Sequence, residues 1–134
     1  MQATASTRIL VADDNRDTAD SSALLLELDG HEVRVAYSGT EALQVFEEFA
    51  PQLALLDIGM PGMNGYELAA AMRASDECAG TLLVALSGWG SRRDVERGRT
   101  AGFDEHFTKP AQVGQVEELL VREAARRHAD DAAR

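Results

Sequence analysis

The sequence predicts an α/β protein: one parallel sheet of five strands with helices on both faces. Two observations predict it. Five short strand-like runs alternate without exception with five segments of helical periodicity, and parallel strands need such crossover connections. The run Leu53-Ala54-Leu55-Leu56-Asp57 is apolar on both of its alternating faces before it ends on a carboxylate, as a strand buried on both sides must be. At 134 residues the chain fits one domain with a real core. No repeat, low-complexity tract or linker divides it, so residues 1–134 are expected to form one unit, with its core over about 8–121 and the end of the last helix and a tail over 122–134.

In order, Arg8 to Asp13 is an apolar run ending in acid, with Asp14 next. Ala19, Ala23, Leu24, Leu26 and Leu28 then recur at helical spacing until Asp29-Gly30, a C-terminal helix signal. His31 to Ala36 alternates apolar and polar residues, the pattern of a strand with one less buried face. Ser38-Gly39 opens a helix through Ala42, Leu43, Val45, Phe46 and Phe49, ended by Pro51. Behind the central strand, Gly59-Met60-Pro61-Gly62-Met63-Asn64-Gly65 must be a loop. Asp57 could serve merely to cap the helix that follows, but Asn64 is better placed for that. Tyr66, Leu68, Ala69, Ala70 and Met72 form this third helix. Thr81 to Leu86 is the fourth strand, stopped by Ser87-Gly88-Trp89-Gly90-Ser91, and a polar helix with Val95 as its main anchor runs from about Arg92 to Thr100. After Ala101-Gly102, Phe103 to Thr108 is a short fifth strand ending in Lys109-Pro110. Val113, Val116, Leu119, Leu120 and Ala124 mark the last helix, which trails into Arg126-Arg127-His128 and a small acidic tail.

Composition narrows the function classes. The chain is 45% hydrophobic and 27% charged, with a formal net charge of -10. No basic face is visible, which opposes nucleic-acid binding. The balance suits a protein that holds a cation or meets a basic partner. Cys78 is the only cysteine, so intramolecular disulfides and thiolate metal sites are excluded and it reads as a packing or surface residue. Met1 to Thr7 has no signal-peptide core and no window is long and apolar enough to span a membrane. A cytoplasmic address is expected.

The strand ends carry the chemistry. All strands of a parallel sheet finish on one edge, where open α/β sheets bind ligands. Those ends supply Asp13 and Asp14, then Asp57, Ser87 and Lys109, while the second strand supplies only Ala36-Tyr37, as an outer strand would. Two carboxylates about 5 Å apart repel by roughly 3 kcal/mol at an effective dielectric near 20. Three of them facing one lysine either raise a pKa strongly or recruit a hard cation. An oxygen-only donor set favours Mg²⁺ with several retained waters. With a metal in place Asp57 can attack phosphorus as a carboxylate nucleophile, and Ser87 and Lys109 can hold phosphoryl oxygens.

Asp13-Asp14, Asp57 within Leu-Leu-Asp-Ile-Gly-Met-Pro-Gly-Met-Asn-Gly, Ser87 and Lys109-Pro110 together resemble the receiver domain of two-component response regulators. The resemblance runs from about Arg8 to Leu120 and implies a doubly wound, flavodoxin-like (βα)5 sheet in the order 2-1-3-4-5, an order already known for members of this family. It implies a phosphorelay role in which Asp57 takes a phosphoryl group from a histidine kinase or a histidine phosphotransfer protein. Asp14, Asp57, the Gly59 carbonyl and Asp13 would hold Mg²⁺. It also implies an aromatic switch at Phe107, two residues before Lys109: phosphorylation draws in the Ser87 hydroxyl and Phe107 turns into the vacated space, biasing a two-state loop. The plain alternative is that Phe107 is core on a short strand. Phenylalanine brings no hydroxyl to such a switch.

The family often has alanine after the hydroxyl residue; here it is Gly88. Gly59 and Trp89 occupy the two positions that flank the attacking water's route in the family and so influence phosphoryl lifetime. Gly88-Trp89-Gly90 with Gly102-Phe103-Asp104 resembles receivers fused behind hybrid sensor kinases. No output domain is expected after Leu120, so effects are expected through protein contacts around the fourth and fifth helices, with dimerisation open. None of His31, His106 and His128 sits at a strand end with metal-ligand spacing, and a phospho-donor histidine is not expected. Arg122, Arg126 and Arg127 suit a helix C-terminus better than a nucleic-acid patch. Two other functions compete. A flavodoxin-like cofactor binder would need hydroxyls and glycines in the first loop, where Asp13-Asp14-Asn15-Arg16-Asp17 repels phosphate. A phosphatase working through an aspartyl phosphate would want an acid where Gly59 stands.

Overall fold

The computed structural model describes residues 6–75, 80–88 and 92–132. Cys78 and Trp89, with the side chains of Arg127 and His128, lie outside that description. Five strands alternate with five helices: β1 Arg8–Ala12, α1 Arg16–Leu28, β2 Glu32–Ala36, α2 Gly39–Phe49, β3 Leu53–Asp57, α3 Gly65–Arg73, β4 Leu82–Ser87, α4 Arg92–Ala101, β5 Glu105–Thr108 and α5 Val113–Ala132. All pairings are parallel and the order is β2-β1-β3-β4-β5, as the resemblance implied. β3 is buried along its whole length, while β2 shows the half-exposed alternation of an edge.

Side-chain alternation splits the core into two layers. Leu10, Ala54, Leu56, Leu83 and Ala85 pack with Phe46 of α2 and Leu68 and Met72 of α3. Ile9, Val11, Leu55, Val84, Leu86 and Phe107 pack with Ala19 and Leu26 of α1 and Val116 and Leu119 of α5. The helices start where the sequence supplies caps. Asn15 accepts from Thr18 N–H and Ser38 from Glu41 N–H. Asn64 forms a reciprocal capping box with Glu67, which leaves Asp57 out of helix capping.

Three expectations need correction. Leu24 and Leu28 face outward, 57% and 76% exposed, because α1 turns Ala19, Ala23 and Leu26 to the sheet. Ser87 does not stop β4 but ends it, paired with Thr108. The expected tail is helical: α5 continues to Ala132, supported by good helix formers and the Arg126–Glu123 pair one turn apart.

Candidate functional site

The sheet's C-terminal edge brings together Asp13, Asp14, Asp57 and Lys109. Asp13 follows β1, and its N–H donates to the Ala36 carbonyl. Asp57 is the last residue of β3, and Ile58 N–H bonds to the Leu86 carbonyl, tying the turn behind it to β4. Lys109 follows β5 and its N–H donates to the Ser87 carbonyl at 2.7 Å; the Lys109–Pro110 peptide is cis. Ladder bonds thus set the height of each site residue at the edge.

Lys109 Nζ lies 3.1 Å from Asp13 Oδ2 and 3.1 Å from Asp57 Oδ1. Asp57 Oδ1 also accepts from Gly59 N–H at 3.0 Å, and Asp13 Oδ1 accepts from Asn15 N–H at 3.0 Å. Asp13 and Asp57 are buried and Asp14 is exposed, and one ligand oxygen from each lies within 4.8 Å of the others. Burial pushes the Asp13 carboxyl above its usual range, reinforced by the Asp57 charge and opposed by Asn15 N–H and Lys109. Burial alone would lower the Lys109 pKa, but hydrogen bonds and attraction from Asp57 and Asp13 outweigh it and hold Lys109 above its usual value.

These groups fit a hard divalent cation. The donors are all oxygen, and Asp13 Oδ2 is shielded from solvent with Lys109 beside it as counter-charge. One lysine against three carboxylates leaves negative charge that a cation would neutralise. Without divalent metal, Asp13→Asn is therefore expected to raise Tm by about 3 °C, roughly 1 kcal/mol for a chain of this size. The amide oxygen can keep the Asn15 bond. A carboxyl whose pKa is raised on folding favours the fold most when protonated and loses that contribution as pH rises through the folded value. The variant's advantage should thus shrink as pH falls through the raised folded value and be smallest below the ordinary carboxylate range. Thermal melts in chelator at two pH values check this, and an unchanged or lower Tm near neutrality would mean that the Asp13 charge is no net cost.

Ser87 and Phe107 part company. Leu86 pairs with Phe107, and Ser87 with Thr108. Phe107 is buried among Ile9, Val11 and Leu86 on the α1 and α5 side, whereas Ser87 shares the parity of Leu83 and Ala85, which pack on the other side. Phe107 is thus on the wrong face to turn into space that Ser87 vacates, which corrects the expected switch. His106 holds that place instead: its Nε2 lies 2.7 Å from Ser87 Oγ. The signal that could have found it is the period of two along a strand, which puts positions 107 and 109 together and 106 on the opposite face.

A second trio, Asp29, His31 and Glu117, also meets within 4.8 Å. Thr7 N–H donates to His31 Nδ1, so the ring proton sits on Nε2, 2.6 Å from Glu117 Oε1. A metal would need the Nε2 lone pair and a proton on Nδ1 facing another donor. A hydrogen bond with Glu117, then burial, raises the Asp29 pKa. This trio straps α5 to the α1–β2 corner through shared protons.

Comparison with known proteins agrees with the fold. A profile of the response regulator receiver domain matches residues 9–121. The chain is 36% identical over 120 residues to an uncharacterized 14.6 kDa protein of Leptolyngbya boryana, covering 90% of this chain and 92% of that one. It is 35% identical over 124 residues to the DNA-binding response regulator MtrA of Mycolicibacterium paratuberculosis, covering 92% of this chain but 52% of MtrA, about half its length. Among solved structures, the chemotaxis protein CheY4 of Vibrio cholerae superimposes with a TM-score of 0.81 at 25% identity, covering 88% of this chain and 98% of CheY4. The receiver domain of a signal transduction histidine kinase from Syntrophus aciditrophicus superimposes with a TM-score of 0.77 at 25% identity, covering 90% and 91%. Among the described residues, no helix is long and apolar enough to cross a membrane.

Proposed function

The chain belongs to the response regulator receiver domain family of two-component signalling, and from that premise we propose that Asp57 is the carboxylate on which it accepts a phosphoryl group. The observation that carries this reading is Lys109 Nζ set 3.1 Å from both Asp57 and Asp13 on the shared strand edge. A histidine kinase or a histidine phosphotransfer protein is the donor. Gly59 N–H and Lys109 both engage Asp57 Oδ1, which turns Oδ2 toward the incoming phosphorus. Oδ2 forms the new O–P bond as the bond from phosphorus to the donor's imidazole nitrogen breaks, and that nitrogen keeps the electron pair. Lys109 and the Ser87 hydroxyl then serve the phosphoryl oxygens as charge and donor. Asp13, Asp14, Asp57 and the Gly59 carbonyl would hold Mg²⁺, which when bound supplies positive charge against those oxygens.

In this reading the chain assists its own phosphorylation and dephosphorylation and turns over no separate substrate. Residues 1–134 act as one receiver domain with a cytoplasmic address, signalling through protein contacts around α4 and α5. Incubated with a small-molecule phosphodonor and Mg²⁺, the protein is expected to gain one phosphoryl group by intact-mass spectrometry, and none when a chelator is added. A chain that stays unmodified with metal present would overturn the reading.

A further inference from the structure

Arg16 opens α1 two residues after Asp14, and the phosphoryl chemistry so far leaves its charge unused. We propose that Arg16, held in place by the ring of Tyr37, draws the dianionic phosphoryl group of an incoming donor toward Asp57, with Tyr37 as its positioning residue. This rests on the acceptor role of Asp57 proposed above.

The pair stands on the edge that carries the site. Ala12 is matched with Ala36 across β1 and β2, and Asp13 N–H donates to the Ala36 carbonyl. Tyr37 therefore follows at the height of Asp13, one strand spacing of about 5 Å away. Its ring packs against the layer that faces α1 and α5, and the Arg16 guanidinium carbon lies 4.1 Å from the ring centroid, within reach of a cation–π contact. Arg16 has a rival partner in its own helix, Asp20, one turn on, with which it would ordinarily pair. Tyr37 separates the two. Its O–H donates to Asp20 Oδ1 at 2.6 Å while its ring takes the guanidinium. The bond to Asp20 holds the phenol above its ordinary value, so the group stays a donor at working pH. Arg16 is exposed and, among the described residues, forms no salt bridge. Stacking uses the flat face of the guanidinium and leaves its N–H edge for an oxyanion. A donor approaching this edge meets the charges of Asp13, Asp14, Asp17 and Asp57, and Lys109 is already shared between Asp13 and Asp57. A fixed cation on the same edge opposes that repulsion and raises the encounter rate.

The experiment follows uptake from acetyl phosphate, a dianion near neutral pH, at saturating Mg²⁺. A unit charge about 10 Å from a dianion in water changes an encounter rate about threefold at low salt and hardly at all once the Debye length is shorter than that distance. Arg16→Gln is thus expected to slow uptake about threefold at about 10 mM salt, and Arg16→Glu about eightfold. Both losses should shrink to less than about 1.5-fold at about 0.5 M salt. Arg34→Gln is the matched control. Its guanidinium lies 4.8 Å from the Phe49 ring, whose neighbour Ala50 binds Arg8 at the start of β1, so its loss should cost less than about 1.5-fold. Tyr37→Leu keeps Arg16 but removes its platform, and in that background Arg16→Gln should cost less than about 1.5-fold at any salt, since the two residues act as one. The inference is overturned if the Arg16 losses do not depend on salt, if Arg16→Glu is no slower than Arg16→Gln, or if Arg16→Gln costs its full factor in the Tyr37→Leu chain. Should Tyr37→Leu fail to fold, the charge series and its salt dependence decide. Normal uptake by Arg16→Gln at low salt would overturn this inference alone, whereas no uptake by wild type would overturn the phospho-acceptor reading with it.

Discussion

Asp57→Asn is expected to abolish phosphoryl uptake from a small-molecule donor, with at least a ~10³-fold loss of rate, the scale on which removing a nucleophile acts. The loss is chemical rather than structural. Asparagine has the same shape, and its amide oxygen can still accept the Gly59 N–H that now bonds Asp57 Oδ1 at 3.0 Å. What goes is the anionic oxygen able to form an O–P bond, since an amide oxygen is a poor nucleophile. Lys109 keeps its 3.1 Å contact to Asp13, so the variant should fold. Circular dichroism matching wild type together with absent uptake by intact-mass spectrometry is the expected pair of results. If Asp57→Asn is phosphorylated at the wild-type rate, the acceptor is another residue and the role given to Asp57 is wrong.

That Asp57, Asp13 and Lys109 meet was legible before any coordinates, because a parallel sheet delivers all its strand ends to one edge. The edge position of β2 was legible from its alternation. Features that depend on which way a side chain turns were harder to read. In α1, Ala23, Leu24, Leu25, Leu26 and Leu28 cover most of the helix circumference, so spacing alone cannot choose the buried stripe. The structure buries Ala23 and Leu26 and leaves Leu24, Leu25 and Leu28 outside. At β5 the aromatic character and spacing of Phe107 from Lys109 do not tell which face of the strand it occupies. Alternation would have put Phe107 with the core of α1 and α5, and His106 beside Ser87. The length of α5 is hidden for a different reason. Its last turns carry no apolar stripe, and there helix propensity and an ion pair, rather than burial, extend it.

Gly65→Ala is expected to lower Tm by about 10 °C, a cost of roughly 3 kcal/mol at this chain length, and to slow phosphoryl uptake at least about 10-fold. A Cβ on Gly65 would stand 2.6 Å from Ile58 Cα, 2.7 Å from the Asp57 carbonyl oxygen and 3.0 Å from the Asp57 carbonyl carbon. All three are backbone atoms, so no side chain can swing aside. The segment that must move is the β3–α3 turn, which carries Gly59 and follows directly on Asp57, the proposed acceptor. Gly65 N–H now bonds to the Ile58 carbonyl at 3.3 Å, and this close approach brings the start of α3 against the end of β3. Misplacing a reacting group by about 1 Å can cost 10²-fold in rate, so the loss should exceed what unfolding alone explains at a temperature where the variant is folded. Gly114→Ala is the matched control. It adds the same methyl near the start of α5, where nothing lies within 4 Å, and replacing glycine by alanine inside a helix normally stabilises by about 0.5–1 kcal/mol. The same substitution should thus move Tm in opposite directions at the two positions. A Gly65→Ala chain that melts within about 2 °C of wild type and takes up phosphoryl normally would show that the strand and helix are not locked together there, and that the turn behind Asp57 has slack.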